Sequence, residues 1–224
     1  GDLLALVALP GFDSNKVITG FSRAEITKLN DERLNRWLNR ATGSGGVAYP
    51  PGSIFKLISS VAYLEEGLLN PENPVYNPGY FRNQRLYPHY SLDDTAPPGD
   101  YDFIRAFKRS SNTYFIHHAL DNGRGIKPII NIGRQLFLGQ RSGLLPGQEA
   151  KEQFPTMTQV KQGWSDGDTA NISIGQGPIT VTPLQMALVT ATVANGGTVY
   201  HPRLVDRVES SDPNKQLHLS LIHI

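Results

Sequence analysis

The chain has 224 residues, room for one large domain or two small ones with a proper core. Lysine plus arginine number 21 and aspartate plus glutamate 20, a formal net charge of +1, so neither a nucleic-acid backbone nor an acidic solvating tail is indicated. Cysteine is absent, which removes disulfides, thiolate nucleophiles and Cys-ligated zinc or iron–sulfur centres.

The first predicted element is Leu3-Leu-Ala-Leu-Val-Ala-Leu9, closed by Pro10-Gly11 and read as a buried strand ending in a turn. It is the longest apolar run, far short of the ~20 residues that span a bilayer, and no basic segment precedes it as in a signal peptide. Because the chain opens on Gly-Asp, it reads as a fragment with any targeting segment upstream. Residues 22–42 lack a clear period, with a short helix expected over Asn30–Leu38. The loop 43–52 then leads into a helix from Ser53. Its apolar positions at 54, 57, 58, 61, 62 and 64 have helical spacing, and Gly67 supplies the stop. Residues 70–101 read as irregular. A helical pattern over 101–122 is expected to break near Ser110-Ser111-Asn112, whose side chains compete for backbone hydrogen bonds. Further helices are expected over 126–138 and from Thr182-Pro183 to Asn195, followed by a strand over 199–208. Helices between a first and a last strand indicate an α+β fold, helices packed on an antiparallel sheet.

Among these elements, Ser53-Ile-Phe-Lys56 carries the most chemistry. A serine at a helix N-terminus sits where backbone N–H groups favour developing negative charge, and a lysine three residues on returns to the same face. A desolvated amine there has a lowered pKa and accepts the serine proton. Taken alone, such a pair arises by chance about once in a chain of this length, and Ser53 then serves as an N-cap. Context adds weight. This is the only Ser-x-x-Lys in the chain, and the only Ser-x-Asn, Ser110-Ser111-Asn112, falls at the predicted helix break. A second hydroxyl and an amide are what a serine–lysine site uses to relay a proton and hold a substrate.

With these residues the chain resembles the penicillin-recognising D,D-transpeptidases, specifically class B penicillin-binding proteins. The carrying segments are Tyr49-Pro-Pro-Gly-Ser-Ile-Phe-Lys56, Ser110-Ser-Asn-Thr-Tyr-Phe115, Ile172-Ser-Ile-Gly-Gln-Gly-Pro-Ile-Thr-Val-Thr-Pro-Leu-Gln-Met186 and Ala194-Asn-Gly-Gly197, in the family's order from residue 1 to about 208. The opening Gly1–Asp13 looks like the family's first sheet strand, and Gly175-Gln176-Gly177 looks more like the elongation type than the septal type. The resemblance implies the serine β-lactamase-like transpeptidase fold, incomplete at both ends, over residues 1–216, with 217–224 a non-native tail. It also implies Ser53 as the acylated nucleophile, Lys56 as its general base and Ser110 as a proton shuttle. Asn112 and the Gly175-Gln176-Gly177 segment would bind substrate, with no cofactor. Stem peptides and β-lactams are the implied ligands. A lipid-linked glycan polymerase and elongation-complex scaffold proteins are the implied partners, with the domain on the periplasmic face of the inner membrane and no nucleic acid involved.

One departure stands out: no Lys-Thr-Gly or Lys-Ser-Gly occurs. Without that strand the 224 residues alone are expected to be a poor catalyst. Some elongation-type relatives bind a metal with Asp, His and Cys near the segment holding His89, Asp93 and Asp94. This chain has Ser111 where the Cys is needed and Asn77 where an Asp stands, so no metal is assigned. His117 and His118 read as ordinary helix residues, Trp164–Asp168 as a turn, and Arg105, Lys108 and Arg109 as a solvated helix face. Two rivals stay open: a class D-type β-lactamase or β-lactam sensor, and a non-catalytic scaffold of the same fold.

Overall fold

The computed structural model describes residues 1–83, 91–120, 125–150 and 153–205. The chain divides into two compact units. One comprises Gly1–Ala48, Gln140–Glu152 and the chain from Thr182 on; the other comprises Tyr49–Gly139 and Gln153–Val181.

The second unit holds the residues singled out above. After a tight 3-10 turn over Gly52–Phe55, helix α3 runs Lys56–Glu65. Phe55, Ile58 and Ala62 have no exposed surface, a spacing of three and four residues that turns one stripe of the helix inward. Gly67, at φ 63°, ends the helix, and the Leu68 N–H returns to the Tyr63 carbonyl at 2.9 Å. Helix α4 (Phe103–Arg109) starts on an Asp102 cap, whose carboxylate accepts the Arg105 N–H at 2.7 Å. Helices α5 (Asn112–Leu120), α6 (Ile126–Gln135), α7 (Met157–Gly163) and α8 (Asp166–Ser173) follow. Helix α3 packs on α5 and α6, and α5 on α8. Two small antiparallel pairs complete the unit. Strand β1 (Val75–Asn77) pairs with β4 (Gly99–Tyr101), and β2 (Tyr80–Phe81) with β3 (Leu92–Asp93). At Gly133 a Cβ would lie 2.2 Å from the Phe154 ring, so only glycine lets that ring seat on α6.

The first unit is built on α1 (Lys16–Thr19), α2 (Arg23–Leu29) and α9 (Pro183–Ala194). Helix α9 begins with a reciprocal Thr182–Gln185 capping box and Pro183 in its first turn. Gln185 also donates its amide to the Gln140 carbonyl at 3.0 Å, tying α9 to a distant loop. Phe12, Phe21 and Trp37 form an aromatic cluster with ring centroids 4.7–6.2 Å apart. No helix of the described residues is long and apolar enough to cross a membrane.

The α+β class and the helices expected from Ser53, over 101–122 with its break, from 126 and from Thr182 are all present. Other expectations need correction. Residues 3–9 form no strand: Leu4 is 95% and Leu9 74% exposed, and the segment's link to the rest is a parallel bridge between Asp2 and Arg203. An apolar run states what wants covering, whereas a strand exists only through a ladder of bonds, and here two backbone bonds join Gly1 and Leu3 to Arg203. The strand expected at 199–208 is likewise reduced to that bridge, its last residues lying outside the described ones. Asn30–Leu38 is a series of turns with Asn35 at φ 41°, not a helix. The segment over 70–101 carries the four short strands of the described residues. Trp164–Asp168 opens α8 through a Ser165–Asp168 capping box, as the polar side chains of Ser165 and Asp168 satisfy the first-turn N–H groups.

Candidate active site

Pro50 and Pro51 restrict the approach, and Gly52 takes φ 58°, a left-handed conformation that swings the chain into the 3-10 turn. Ser53 therefore sits in the first turn, exposed and making no capping bond. That removes the alternative in which Ser53 is merely an N-cap.

Lys56 begins α3 and is only 2% exposed. Its Nζ donates to the Ser110 carbonyl at 2.7 Å, the Asn112 Oδ1 at 2.8 Å and the Ser110 Oγ at 3.0 Å. The Phe115 ring centroid lies 5.5 Å from the same nitrogen. The structure thus brings Lys56, Ser110 and Asn112 together across 54 and 56 residues of sequence. Among the described residues no hydrogen bond joins the Ser53 hydroxyl to Lys56.

Ser110 and Asn112 are presented by the break between α4 and α5. Ser110 lies at φ 56°, ψ 40°, and the Ser111 N–H reaches back to the Ala106 carbonyl at 3.0 Å, a Schellman-type helix end. The left-handed conformation of a non-glycine residue costs on the order of 1 kcal/mol and needs outside support. The Ser110 carbonyl receives that support from Lys56 and from the Thr95 hydroxyl at 2.7 Å. Beside it, the Asp94 carboxylate accepts from the Ser111 hydroxyl (2.9 Å) and from the N–H groups of Asn112 (2.9 Å), Thr113 (2.7 Å) and Ala96 (3.0 Å).

Burial, which disfavours the ammonium, pushes the Lys56 amine down to about 8, against the opposing pull of the Asp94 charge. On losing a proton the amine keeps two N–H groups and gains a lone pair. The Ser110 carbonyl and Asn112 Oδ1 can only accept, so they retain the two N–H groups. Of the three partners only the Ser110 hydroxyl can both accept a proton and return one. Burial also acts on the Asp94 carboxyl, tending to raise it, but its backbone partners at Ala96, Thr113 and Asn112 outweigh this and hold it below the ordinary carboxylate range.

Gly175 sits directly on the serine turn. The Gly52 N–H donates to the Gly175 carbonyl at 2.9 Å, and a Cβ at Gly175 (φ 73°) would fall 2.1 Å from the Gly52 carbonyl oxygen. Gln176 is exposed beside Gly52. The neighbouring Val181 pairs with Tyr49 through two backbone bonds of 2.8 and 2.9 Å. Of the residues predicted for the site, Gly175 and Gln176 border the serine turn and Ser110 and Asn112 bind the Lys56 amine, whereas Gly177 lies beside Asn171.

Sequence reasoning missed Thr95 and gave Asp94 and Asn77 the wrong context. The signal for Asp94 was an acidic residue in a polar stretch, which nothing local connects to a turn some 17 residues on. These residues do not suit a metal ion. Ser111 and Asn77 carry no charge, and both Asp94 oxygens already accept N–H or O–H donors. His89 lies outside the described residues. His117 is exposed and His118 buried against Tyr114. Arg105 is not simply solvated: it stacks 4.5 Å over the Tyr101 ring and donates to the Asp100 carbonyl.

The site joins a buried lysine on a Ser-x-Asn turn to an exposed serine on a helix start, and the chain belongs to the penicillin-binding protein transpeptidase domain family, which matches residues 1–222. Among individual relatives it is similar to the peptidoglycan D,D-transpeptidase MrdA of Haemophilus influenzae, at 30% identity over 213 residues. That match covers 93% of this chain and 32% of the relative, so the chain spans about a third of that protein's length. The fold is also similar to Pseudomonas aeruginosa PBP2 solved in complex with WCK 5153 (TM-score 0.76, 29% identity, 96% of this chain and 50% of that one). A third likeness is to PBP2 in its complex with MreC from Helicobacter pylori (TM-score 0.74, 25% identity, 88% and 36%).

Proposed function

We propose that the protein to which this chain belongs is a serine D,D-transpeptidase that cross-links peptidoglycan stem peptides during cell elongation. The observation that carries this is the Lys56 amine, buried one helical turn from Ser53 and bonded to Ser110 Oγ and Asn112 Oδ1. In the neutral form Lys56 accepts the Ser53 proton as the serine oxygen attacks the carbonyl carbon of the terminal D-Ala-D-Ala peptide bond. Negative charge gathers on the carbonyl oxygen, where the Ser53 N–H, free of an acceptor in the first helical turn, stabilises it. Collapse breaks the C–N bond, and the D-Ala amine takes its proton from Lys56 by way of the Ser110 hydroxyl. Asn112 and the Gly175–Gly177 edge hold the peptide. An amine of a neighbouring stem peptide then attacks the ester, forming the cross-link and restoring Ser53. A β-lactam meets the same serine, its ring C–N bond opens, and a persistent acyl-enzyme results.

Relatedness to MrdA and PBP2 supports the elongation role, the outer face of the inner membrane, and partners among a lipid-linked glycan polymerase and elongation scaffold proteins. The test is labelling of the protein in its full natural length with a fluorescent penicillin, beside its Ser53→Ala variant. A stable label that the variant lacks is expected. Rapid loss of label would point to a β-lactamase, and no label on folded protein to a non-catalytic scaffold.

A further inference from the structure

We infer that Asp94 is a positioning residue for this site, its carboxylate anchoring the Ser110–Asn112 turn against Lys56. The inference rests on the transpeptidase reading above. Asp94 follows β3 and is distant in sequence from every residue it organises, yet it accepts from the hydroxyl or N–H of three consecutive ones, Ser111, Asn112 and Thr113. Those N–H groups open α5, where they have no intrahelical partner, so the carboxylate both caps the helix and meets its positive end. The fourth donor, the Ala96 N–H, closes an Asp turn that fixes the carboxylate itself. Next in the chain, Thr95 binds the Ser110 carbonyl. Two successive residues, 94 and 95, therefore grip the turn from its two sides. Asn77, fully buried at the end of β1, backs the arrangement by donating its amide to the Ala96 carbonyl at 3.2 Å and toward the Ser111 hydroxyl at 3.5 Å.

This grip matters to chemistry because of what it aims. The left-handed Ser110 and the first residue of α5 supply all three acceptors of the Lys56 amine. Releasing Asp94 would leave the N–H groups of Asn112 and Thr113 seeking other acceptors, and the Ser110 hydroxyl and Asn112 amide would drift from Nζ together. Misplacement of about 1 Å is enough to cost ~100-fold in rate. The charge acts separately. Burial lowers the Lys56 amine and the Asp94 carboxylate opposes that fall, beside the three acceptors and the Phe115 ring that face the same nitrogen. The other titratable groups on the elements around it are Asp93 on β3, Lys127 and Arg134 on α6, His117 and His118 on α5, and Asp166 and Asp168 on α8.

The experiment measures the second-order rate of Ser53 acylation by a fluorescent penicillin from about pH 6 to about pH 10 (roughly two units either side of the Lys56 value of about 8) on the full-length protein. Wild type is compared with Asp94→Asn and Asp94→Glu. For Asp94→Asn the plateau rate is expected to fall ~10- to 100-fold and the alkaline midpoint to move to lower pH, because the charge favouring the ammonium is gone. Asp94→Glu keeps the charge and spoils the geometry, so its plateau falls while its midpoint stays near that of wild type. A residue that merely stiffens the fold would lower rates without moving the midpoint. An unshifted midpoint in Asp94→Asn, or an unchanged plateau in both variants, overturns the inference. Circular dichroism and melting check folding. If Asp94→Asn does not fold, Ser111→Ala replaces it: loss of one of four bonds is expected to lower the plateau ~3-fold or more with the midpoint fixed, and an unchanged plateau overturns the inference. If wild type itself takes no label at Ser53, the transpeptidase reading fails instead, a result distinct from any of these.

Discussion

Two stretches of this chain are similarly apolar in sequence and opposite in structure. Ser53–Glu65 and the turn that faces it are held by bonds reaching from residues 94, 95, 110, 112 and 175, and Phe55 is wholly buried. Leu3–Leu9 is richer still in aliphatic residues, yet Leu4, Val7 and Leu9 are 95%, 71% and 74% exposed. The difference lies in where the partners come from. A helix closes its own hydrogen bonds and needs only one covered stripe, whereas a strand is nothing without a neighbour at the right register.

The largest effect expected on the tied side is chemical. Lys56→Ala removes the base and three hydrogen bonds, and Ser53 acylation by a penicillin is expected to fall by ~10²–10⁴, the usual range for a general base. A loss under about tenfold would assign proton removal to another group. Next, Gly175→Ala drives a Cβ to within 2.1 Å of the Gly52 carbonyl at a left-handed φ, backbone against backbone with no flexible side chain to yield. A destabilisation of about 3 kcal/mol or more is expected in denaturant unfolding, with acylation weakened as the serine turn shifts. Smaller is the pH response. Because the base form is neutral lysine, acylation should rise about tenfold per unit as pH climbs toward about 8, then level off above it. A flat rate between pH 6 and 8 (roughly two units below the midpoint) would mean that Lys56 is already neutral or is not the base.

Much of the tied region was legible because its signals are local. The serine–lysine spacing, the stop at Gly67 and the Ser-x-Asn break each depend on a few neighbouring residues, as does the Thr182-Pro183 start in the other unit. The capping boxes at Ser22, Thr156 and Ser165 are equally local, and they open helices whose short, mixed faces give no clear apolar period. Asp94 was illegible as part of the site for the opposite reason. Its donors in the Ser111–Thr113 turn lie 17 to 19 positions away, and no periodicity links a β-strand's end to a helix's start. The misread strand at 3–9 fails in the same way, since pattern reports an element's appetite for burial and only tertiary structure reports whether it is met.

The smallest expected effect tests that last point directly. Leu4 is nearly as exposed as it would be in an unfolded chain, so truncating it removes little buried area and leaves no cavity. In this 224-residue chain Leu4→Ala is therefore expected to change unfolding free energy by less than ~0.5 kcal/mol. Phe55→Ala, at a site with no exposed surface, should cost ~3–5 kcal/mol. Both are read from denaturant midpoints at unchanged slope. Should Leu4→Ala cost 2 kcal/mol (about what a buried leucine loses), the segment must be covered in solution, and its sequence pattern would describe it better than its exposure does. Near-neutrality, set against the Phe55 loss, would establish that two apolar stretches of one chain differ in stabilising value because one has partners to bury against and the other is tied only through polar bonds of residues 1–3.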